Sequence, residues 1–131
     1  MPRVVHFDIH AEDPERAMRF YSEVLGWRFE PYMPGYWGVI TGEDGTSSGM
    51  SGINGGLTQR QGPAPTLGQP LSAFPCTVDV DDVDAYVAKA LAAGGTVAVA
   101  KHAIEGMAWL AYCLDTEGNM FGMFQEDATA K

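Results

Sequence analysis

The sequence predicts an α+β fold built from two copies of one β-α-β-β-β unit within 131 residues. Each half opens with alternating apolar and polar residues, which is typical of a strand with one face in the core. Each then continues with apolar residues at helical spacing that end at glycine. Shifting one half by 68 or 69 residues places Ala17 near Ala85, and Gly26 on Gly94 or Gly95. This internal repeat indicates the fold more strongly than any single strand does.

The first unit opens with a strand over Val4–His10, in which Phe7 and Ile9 share one side and the polar residues the other. Asp13-Pro14 follows, which suits the cap and first turn of a helix. The helix continues through five apolar residues at helical spacing, namely Ala17, Phe20, Tyr21, Val24 and Leu25. The alternation predicts that Phe7 and Ile9 pack against this helix.

Three more strands complete the first unit, at Trp27–Tyr32, Tyr36–Thr41 and about Met50–Leu57. The segment Thr58–Pro70 contains three prolines and two glycines, and it is interpreted as a linker. The second unit then has a strand at Phe74–Val80, a helix capped by Asp81-Asp82, and strands at Thr96–His102, Met107–Leu114 and Met120–Gln125. We therefore predict one domain over residues 1–131, with repeat one at about 1–57, the linker at 58–70 and repeat two at about 71–126.

The composition indicates a globular protein with a net negative charge. Eight basic and seventeen acidic residues give a formal charge of −9, which argues against nucleic acid and anionic membranes as partners. No apolar stretch approaches the roughly 20 residues that cross a bilayer, and no secretory signal is evident. Cys76 and Cys113 lack ligand spacing and are interpreted as small buried hydrophobes in a reducing compartment. We expect a cytoplasmic protein.

Two motifs resemble those of a known family. The first runs Asp13-Pro14-Glu15-Arg16-Ala17, Phe20-Tyr21 and Val24-Leu25-Gly26-Trp27, and the second runs Asp115-Thr116-Glu117-Gly118-Asn119 with Met120-Phe121-Gly122. With the duplicated unit, they resemble the vicinal oxygen chelate superfamily of glyoxalase I, bleomycin-resistance proteins and extradiol dioxygenases, and most closely its glyoxalase-like, lactoylglutathione-lyase-related branch. The resemblance covers nearly the whole chain. It implies a cupped, eight-stranded mixed sheet with helices outside, and a homodimer.

Enzymes of this superfamily hold a divalent metal with four ligands, whose positions the resemblance assigns one by one. The first falls on His6. The second unit's first strand offers Pro75 or Phe74, the first unit's last strand offers Asn54 to Gly56, and the final carboxylate position falls on Gly122. One imidazole and an amide do not make a zinc, nickel, cobalt or manganese site. We therefore predict no bound metal and no other cofactor.

The polar residues of the first strand, His6, Asp8 and His10, are predicted to form a polar wall of the cup. A metal site with Asp8 orienting an imidazole is the alternative, although side chains at i and i+2 diverge on a flat strand. His6 is also a candidate catalytic base, because its reference pKa near 6.5 suits proton transfer; the alternative is an ordinary hydrogen-bonding role. In glutathione-using relatives, the position of His10 is often an arginine that holds a carboxylate through two parallel hydrogen bonds. An imidazole cannot form that pair of hydrogen bonds, which argues against glutathione as the ligand.

Four aromatic residues on strands are predicted to offer a stacking surface for a flat ligand, namely Trp37, Trp109, Tyr112 and Phe124. The alternative for each is a core position that faces a helix. Gly122 has no side chain at the position implied for a metal-binding carboxylate. Its small size either enlarges the floor of the cavity or lets Phe124 and Met120 close over that floor. Asn54 completes the predicted ligand-binding set.

The sequence thus predicts a homodimeric, glyoxalase-like protein that binds, or acts on, a small apolar or aromatic metabolite without a metal. The alternative is a metal-dependent lyase, isomerase or dioxygenase of the glyoxalase I type, with a site around His6. A structural module of a larger assembly is a third possibility, for which the sequence carries no positive signal.

Overall fold

In the computed structural model, the described residues form two units, each with four strands and one helix, in the chain order that the sequence predicts. The structure describes residues 2–42, 52–66, 69, 73–117 and 119–131. The first unit comprises residues 6–74, and the second comprises residues 1–5 together with 75–131. The predicted fold class, α+β with two βαβββ repeats, eight strands and mixed pairing, is confirmed.

The first unit contains β1 (Val4–Ala11) from His6 onwards, α1 (Pro14–Leu25), β2 (Arg28–Met33), β3 (Tyr36–Ile40) and β4 (Gly55–Gln59). Its strands lie in the order β2-β3-β4-β1. β1 pairs with β4 in parallel, and the other two pairings are antiparallel. The predicted fourth strand is displaced towards the C-terminus, since β4 begins at Gly55; positions 50 and 51 of that prediction lie outside the described residues.

The ends of α1 follow the sequence prediction. The Asp13 carboxylate accepts a hydrogen bond from the Arg16 amide at 3.1 Å, and Pro14 occupies the first turn. Gly26 adopts a left-handed conformation with φ of 74°, and its N–H donates to the Ser22 carbonyl at 3.0 Å. Because a left-handed residue at this position favours glycine, Gly26 ends the helix. Among the described residues, no helix is long and apolar enough to cross a membrane.

Strand alternation in β1 divides the first unit into two faces. Phe7 and Ile9 are buried with Val39 and Leu57, and α1 packs against this cluster through Ala17, Met18 and Tyr21. We call this side of the sheet the helix face. Burying a side chain such as Ile9 contributes about 1.5–3 kcal/mol, so the register of β1 is strongly specified. The prediction that Phe7 and Ile9 face the helix is confirmed.

The second unit contains β5 (Cys76–Asp79), α2 (Val83–Ala92), β6 (Thr96–Ile104), β7 (Ala108–Leu114) and β8 (Met120–Glu126), with strand order β5-β8-β7-β6. The Asp82 carboxylate caps α2 by accepting from the Ala85 amide at 3.1 Å. The buried residues on the α2 side of the sheet are Val80, Val83, Ala111, Cys113 and Met123. This arrangement repeats that of the first unit.

The two cysteines occupy different environments. Cys113 is buried, and burial raises the pKa of its thiol. Cys76 is exposed. The interpretation of both as buried hydrophobes is therefore right for Cys113 and wrong for Cys76. Cys76 is the first residue of β5 and its side chain is exposed, whereas the next residue, Thr77, is buried.

Trp109 belongs to the α2 side of the second unit, where it packs against the buried cluster. Its indole Nε1 donates to the Asp127 carboxylate at 2.9 Å, and the Lys101 ammonium lies 4.6 Å from its ring centroid. Asp127 also accepts from the Thr129 hydroxyl and the Thr129 amide. These hydrogen bonds, led by the one from the Thr129 hydroxyl, hold the pKa of Asp127 below its usual value. They attach the C-terminal turn to β7.

The Asp127 contacts generate a pH-dependent prediction. Because the folded-state pKa of Asp127 is lowered, its contribution to stability is present above the unfolded pKa, near 3.9, and is lost as the pH falls through the folded pKa. Asp127→Ala is expected to lower the melting temperature at pH 7, with a difference from wild type that shrinks below about pH 4. Asp81→Ala, at an exposed carboxylate beside the α2 cap, is the control. A difference that is constant from pH 7 to pH 3 would contradict the assignment.

Candidate functional site

The face of the first unit opposite α1 carries three polar side chains that contact one another. His6 Nε2 lies 3.1 Å from Asp8 Oδ1 and 3.2 Å from the Tyr36 hydroxyl. The Tyr36 hydroxyl in turn donates to Asp8 Oδ1 at 3.3 Å. β1 supplies His6 and Asp8, and β3 supplies Tyr36. We call these three residues the His6–Asp8–Tyr36 cluster.

Gly56 makes room for this cluster. It pairs with Asp8 in β1 and with Gly38 in β3. A Cβ atom at position 56 would overlap the Tyr36 hydroxyl and lie 2.8 Å from Asp8 Oδ1. The Tyr36 hydroxyl therefore occupies the space that a side chain on β4 would need, and only glycine leaves that space free.

The cluster is suited to hydrogen bonding and to proton transfer. Asp8 is 7% exposed, and a carboxylate that is removed from water requires hydrogen-bond donors. His6 and Tyr36 supply them, while the His6 side chain keeps 33% of its surface exposed. His6 Nε2 donates to Asp8 in one tautomer and accepts from Tyr36 in the other. An imidazole in this position can exchange a proton with a ligand at the exposed edge.

His10 and Asn54 make contacts with residues outside the cluster. The His10 carbonyl accepts from Arg60 Nη2 at 2.7 Å, and His10 pairs with Thr58 in the β1–β4 register. Asn54 Oδ1 accepts from the Thr41 amide at 3.0 Å and from the Thr41 hydroxyl at 3.3 Å. Asn54 thus joins the end of β3 to the start of β4.

Trp37 differs from the sequence prediction in the face that it occupies, and the neighbouring Tyr36 belongs to the cluster although the sequence analysis did not name it. Trp37 packs against the buried cluster of the helix face together with Val39, so it does not share the face of His6 and Asp8. The preceding residue, Tyr36, has the opposite orientation and completes the polar cluster. Period-two alternation along β3 is the signal that distinguishes the two residues.

The predicted residues of the second unit also divide between two faces. Phe121 and Met123 belong to the α2-side cluster, so Gly122 and Phe124 lie on the opposite face of β8. Tyr112, which pairs with Gly122, lies there too. Trp109 does not, because it packs on the α2 side, and its assignment to the ligand-binding face is corrected.

The space beside Gly122 is filled. A Cβ atom there would lie 2.6 Å from the Thr77 hydroxyl and 2.9 Å from Tyr112 Cε1. The expectation that Gly122 enlarges a cavity floor is therefore wrong, because Thr77 and Tyr112 supply the atoms nearest to that volume. Two neighbouring strands, β5 and β7, provide the atoms that occupy this volume.

The residues at the metal positions that the resemblance implies do not fit a divalent cation. These positions are His6, the segment Asn54 to Gly56, Pro75 or Phe74, and Gly122, and of them only His6 has a strong donor side chain. The Tyr36 hydroxyl fills the space at Gly56. Within the described part of the chain, no group of three His, Cys, Asp or Glu side chains is placed to hold a metal ion.

Comparison with known proteins identifies the family. A family model described as a glyoxalase-like domain matches residues 4–124. The chain belongs to the glyoxalase-like family. Among curated proteins, it is similar to "Putative glyoxylase CFP32" of Mycobacterium bovis and Mycobacterium tuberculosis, with 29% identity over 122 residues. That match covers 90% of this chain and 43% of each relative, so the chain spans less than half of their length.

Solved structures of this glyoxalase-like fold are similar at low sequence identity. A glyoxalase/bleomycin resistance protein/dioxygenase superfamily member from Vibrio splendidus has a TM-score of 0.61 at 18% identity, covering 96% of this chain and 100% of its own. Methylmalonyl-CoA epimerase from Mycobacterium tuberculosis has a TM-score of 0.60 at 14% identity, covering 95% and 87%. At sequence identities this low, the structural similarity supports the fold assignment alone.

The packing at Gly56 generates a prediction with a matched control. Gly56→Ala is expected to destabilise the protein by about 1–3 kcal/mol, because the added methyl group displaces the Tyr36 hydroxyl and disturbs Asp8. Gly38→Ala is the control, since a Cβ at position 38 meets only ordinary contact, 3.8 Å from the Glu30 carbonyl oxygen. Denaturant unfolding measures both variants. Equal stability of the two would show that the space at Gly56 is not restricted.

Proposed function

We propose that this glyoxalase-like protein binds a small aromatic or apolar molecule bearing a hydroxyl or carbonyl oxygen, without a bound metal. The observation that carries the proposal is the His6–Asp8–Tyr36 cluster beside Gly56. His6 and Tyr36 offer hydrogen-bonding groups on a face where the described residues provide no donor set for a metal. Hydrogen bonds to the ligand oxygen then take the place of chelation.

The exposed edge of His6 supports the assignment of that residue as the ligand-contacting group. Asp8 is nearly enclosed and holds the imidazole, whereas a third of the His6 side chain is accessible. If the bound molecule has an acidic proton, His6 is placed to accept it. The rival function, a metal-dependent lyase, isomerase or dioxygenase, would require strong donors at three further positions. These hold the segment Asn54 to Gly56, Pro75 or Phe74, and Gly122.

Titration with p-cresol, a small aromatic molecule with one hydroxyl, tests the proposal. We expect saturable shifts of the His6 ring nitrogens by NMR, and at least a tenfold loss of affinity in His6→Gln, since a hydrogen bond to such a group is worth about 1.5 kcal/mol. His102→Gln is the matched control, because His102 is exposed on β6 of the other unit.

Two results would contradict this proposal. One is the absence of any saturable shift at His6 with p-cresol. The other is affinity that disappears after dialysis against a chelator and returns on addition of a single divalent metal, which would support the metal-dependent alternative. Affinity unchanged by the chelator is the expected result.

We also propose that the protein acts in the cytoplasm as a homodimer. Exposed apolar side chains support a self-association surface, since β6 leaves Val97 and Val99 each 43% exposed. Sedimentation at micromolar concentration is expected to give twice the chain mass of 14.1 kDa. A monomer under these conditions would contradict the dimer.

A further inference from the structure

A groove on the helix face of the first unit is separate from the cluster described above. It has a volume of about 460 Å³ and lies where α1 meets the chain that follows β4. Phe20 and Tyr21 of α1 line it, together with Phe74, Arg16 and Arg60. None of His6, Asp8 and Tyr36 contributes to the lining. A volume of this size accommodates a small organic molecule.

The aromatic wall of the groove is already organised. Tyr21 contacts Phe20 edge-on at a centroid distance of 5.1 Å, and it contacts Phe74 edge-on at 6.1 Å. Tyr21 also stacks on Trp27 at 5.4 Å, which holds the tyrosine ring in place. Phe20 and Phe74 nevertheless remain 56% and 42% exposed. Exposed aromatic faces next to a fixed ring favour contact with the flat surface of another ring.

Arg60 supplies a fixed positive charge beside this wall. Its Nη2 donates to the His10 carbonyl at 2.7 Å, and its main-chain N–H donates to the Ala11 carbonyl at 2.8 Å. Its Nε is buried, and no acceptor among the described residues lies within hydrogen-bonding distance of it. A guanidinium has five N–H donors in a planar fork, and the His10 carbonyl uses only one of them at Nη2, so this group favours an anionic oxygen ligand.

The charges around the groove also include two carboxylates. Asp13 is already engaged, because its side chain caps α1 through the Arg16 amide. Glu12 is exposed to solvent, where its field is screened. Arg16 and Arg60 both line the groove, and they are two of the four basic residues in residues 6–74. The site therefore combines an aromatic wall with one guanidinium, that of Arg60, which a hydrogen bond holds in place.

We propose that this groove is a second binding site, which takes a small aromatic carboxylate. The ring packs against Phe20 and Phe74, and the carboxylate is held by Arg60 with Arg16 nearby. The proposal is independent of the cluster around His6, because the two sets of residues do not overlap.

Benzoate and its neutral counterpart benzamide test this proposal on the full chain. In wild type we expect benzoate to shift the Arg60 Nε–H resonance and the α1 amides in ¹H–¹⁵N NMR, with a dissociation constant on the order of 1 mM. Benzamide is expected to bind at least tenfold more weakly, since it lacks the anionic oxygens that Arg60 recognises.

Two variants test separately the charge of Arg60 and the ring contact with Phe20. Arg60→Gln and Phe20→Ser are each expected to weaken benzoate at least tenfold. The matched controls are Arg19→Gln and Val24→Ser, at residues on α1 that do not line the groove, and these are expected to keep wild-type affinity. His6→Gln is also expected to keep it, which separates this site from the one tested with p-cresol.

The proposal is overturned if benzoate produces no saturable shift of the α1 amides in wild type, or if benzamide shifts these amides with the same affinity as benzoate. Shifts centred on His6 and lost in His6→Gln would also overturn it, by assigning benzoate to the other site. Because the benzoate–benzamide comparison uses wild type alone, it decides the matter even where Arg60→Gln fails to fold.

Discussion

The alternation of β1 is the constraint on which the first unit depends. A one-residue slip would take Phe7 and Ile9 out of the core under α1 and bring Asp8 into it. Burial of the apolar pair fixes the register, and the register then places Asp8 opposite Gly56. The polar cluster exists because the hydrophobic core determines which side of the strand faces α1. Packing and site are thus two consequences of one pattern.

The repeat, both helices and most of the strand boundaries were predictable from the sequence, because they depend on local signals. Asp13, Pro14 and Gly26 mark α1 through capping chemistry that acts within a few residues. The start of β4 was predicted too early, since the segment before Gly55 is rich in glycine and lacks a clear period. A short segment of that composition does not identify its own boundary.

The site was predictable only in part. His6 and Asp8 follow from alternation along one strand, which is a local property. Tyr36 enters through the pairing of β3 with β4, and that register is fixed by contacts distant in sequence. Trp37 attracted attention because of its size, yet large aromatic residues are at least as useful in a core as in a pocket. The groove beside Arg60 depends on how the chain after β4 passes α1, for which the sequence contains no periodic signal.

The filled spaces beside Gly56 and Gly122 restrict how this chain can change. Each glycine lies on the last strand of its unit, and in each unit a tyrosine from the preceding strand occupies the space of the missing side chain. A side chain introduced at position 56 would meet the Tyr36 hydroxyl, and one at position 122 would meet the Thr77 hydroxyl and the Tyr112 ring. A carboxylate at either position therefore needs a second change, because the neighbouring side chain must be replaced or displaced as well. Each glycine thus ties the residue at its own position to the side chains of the adjacent strands.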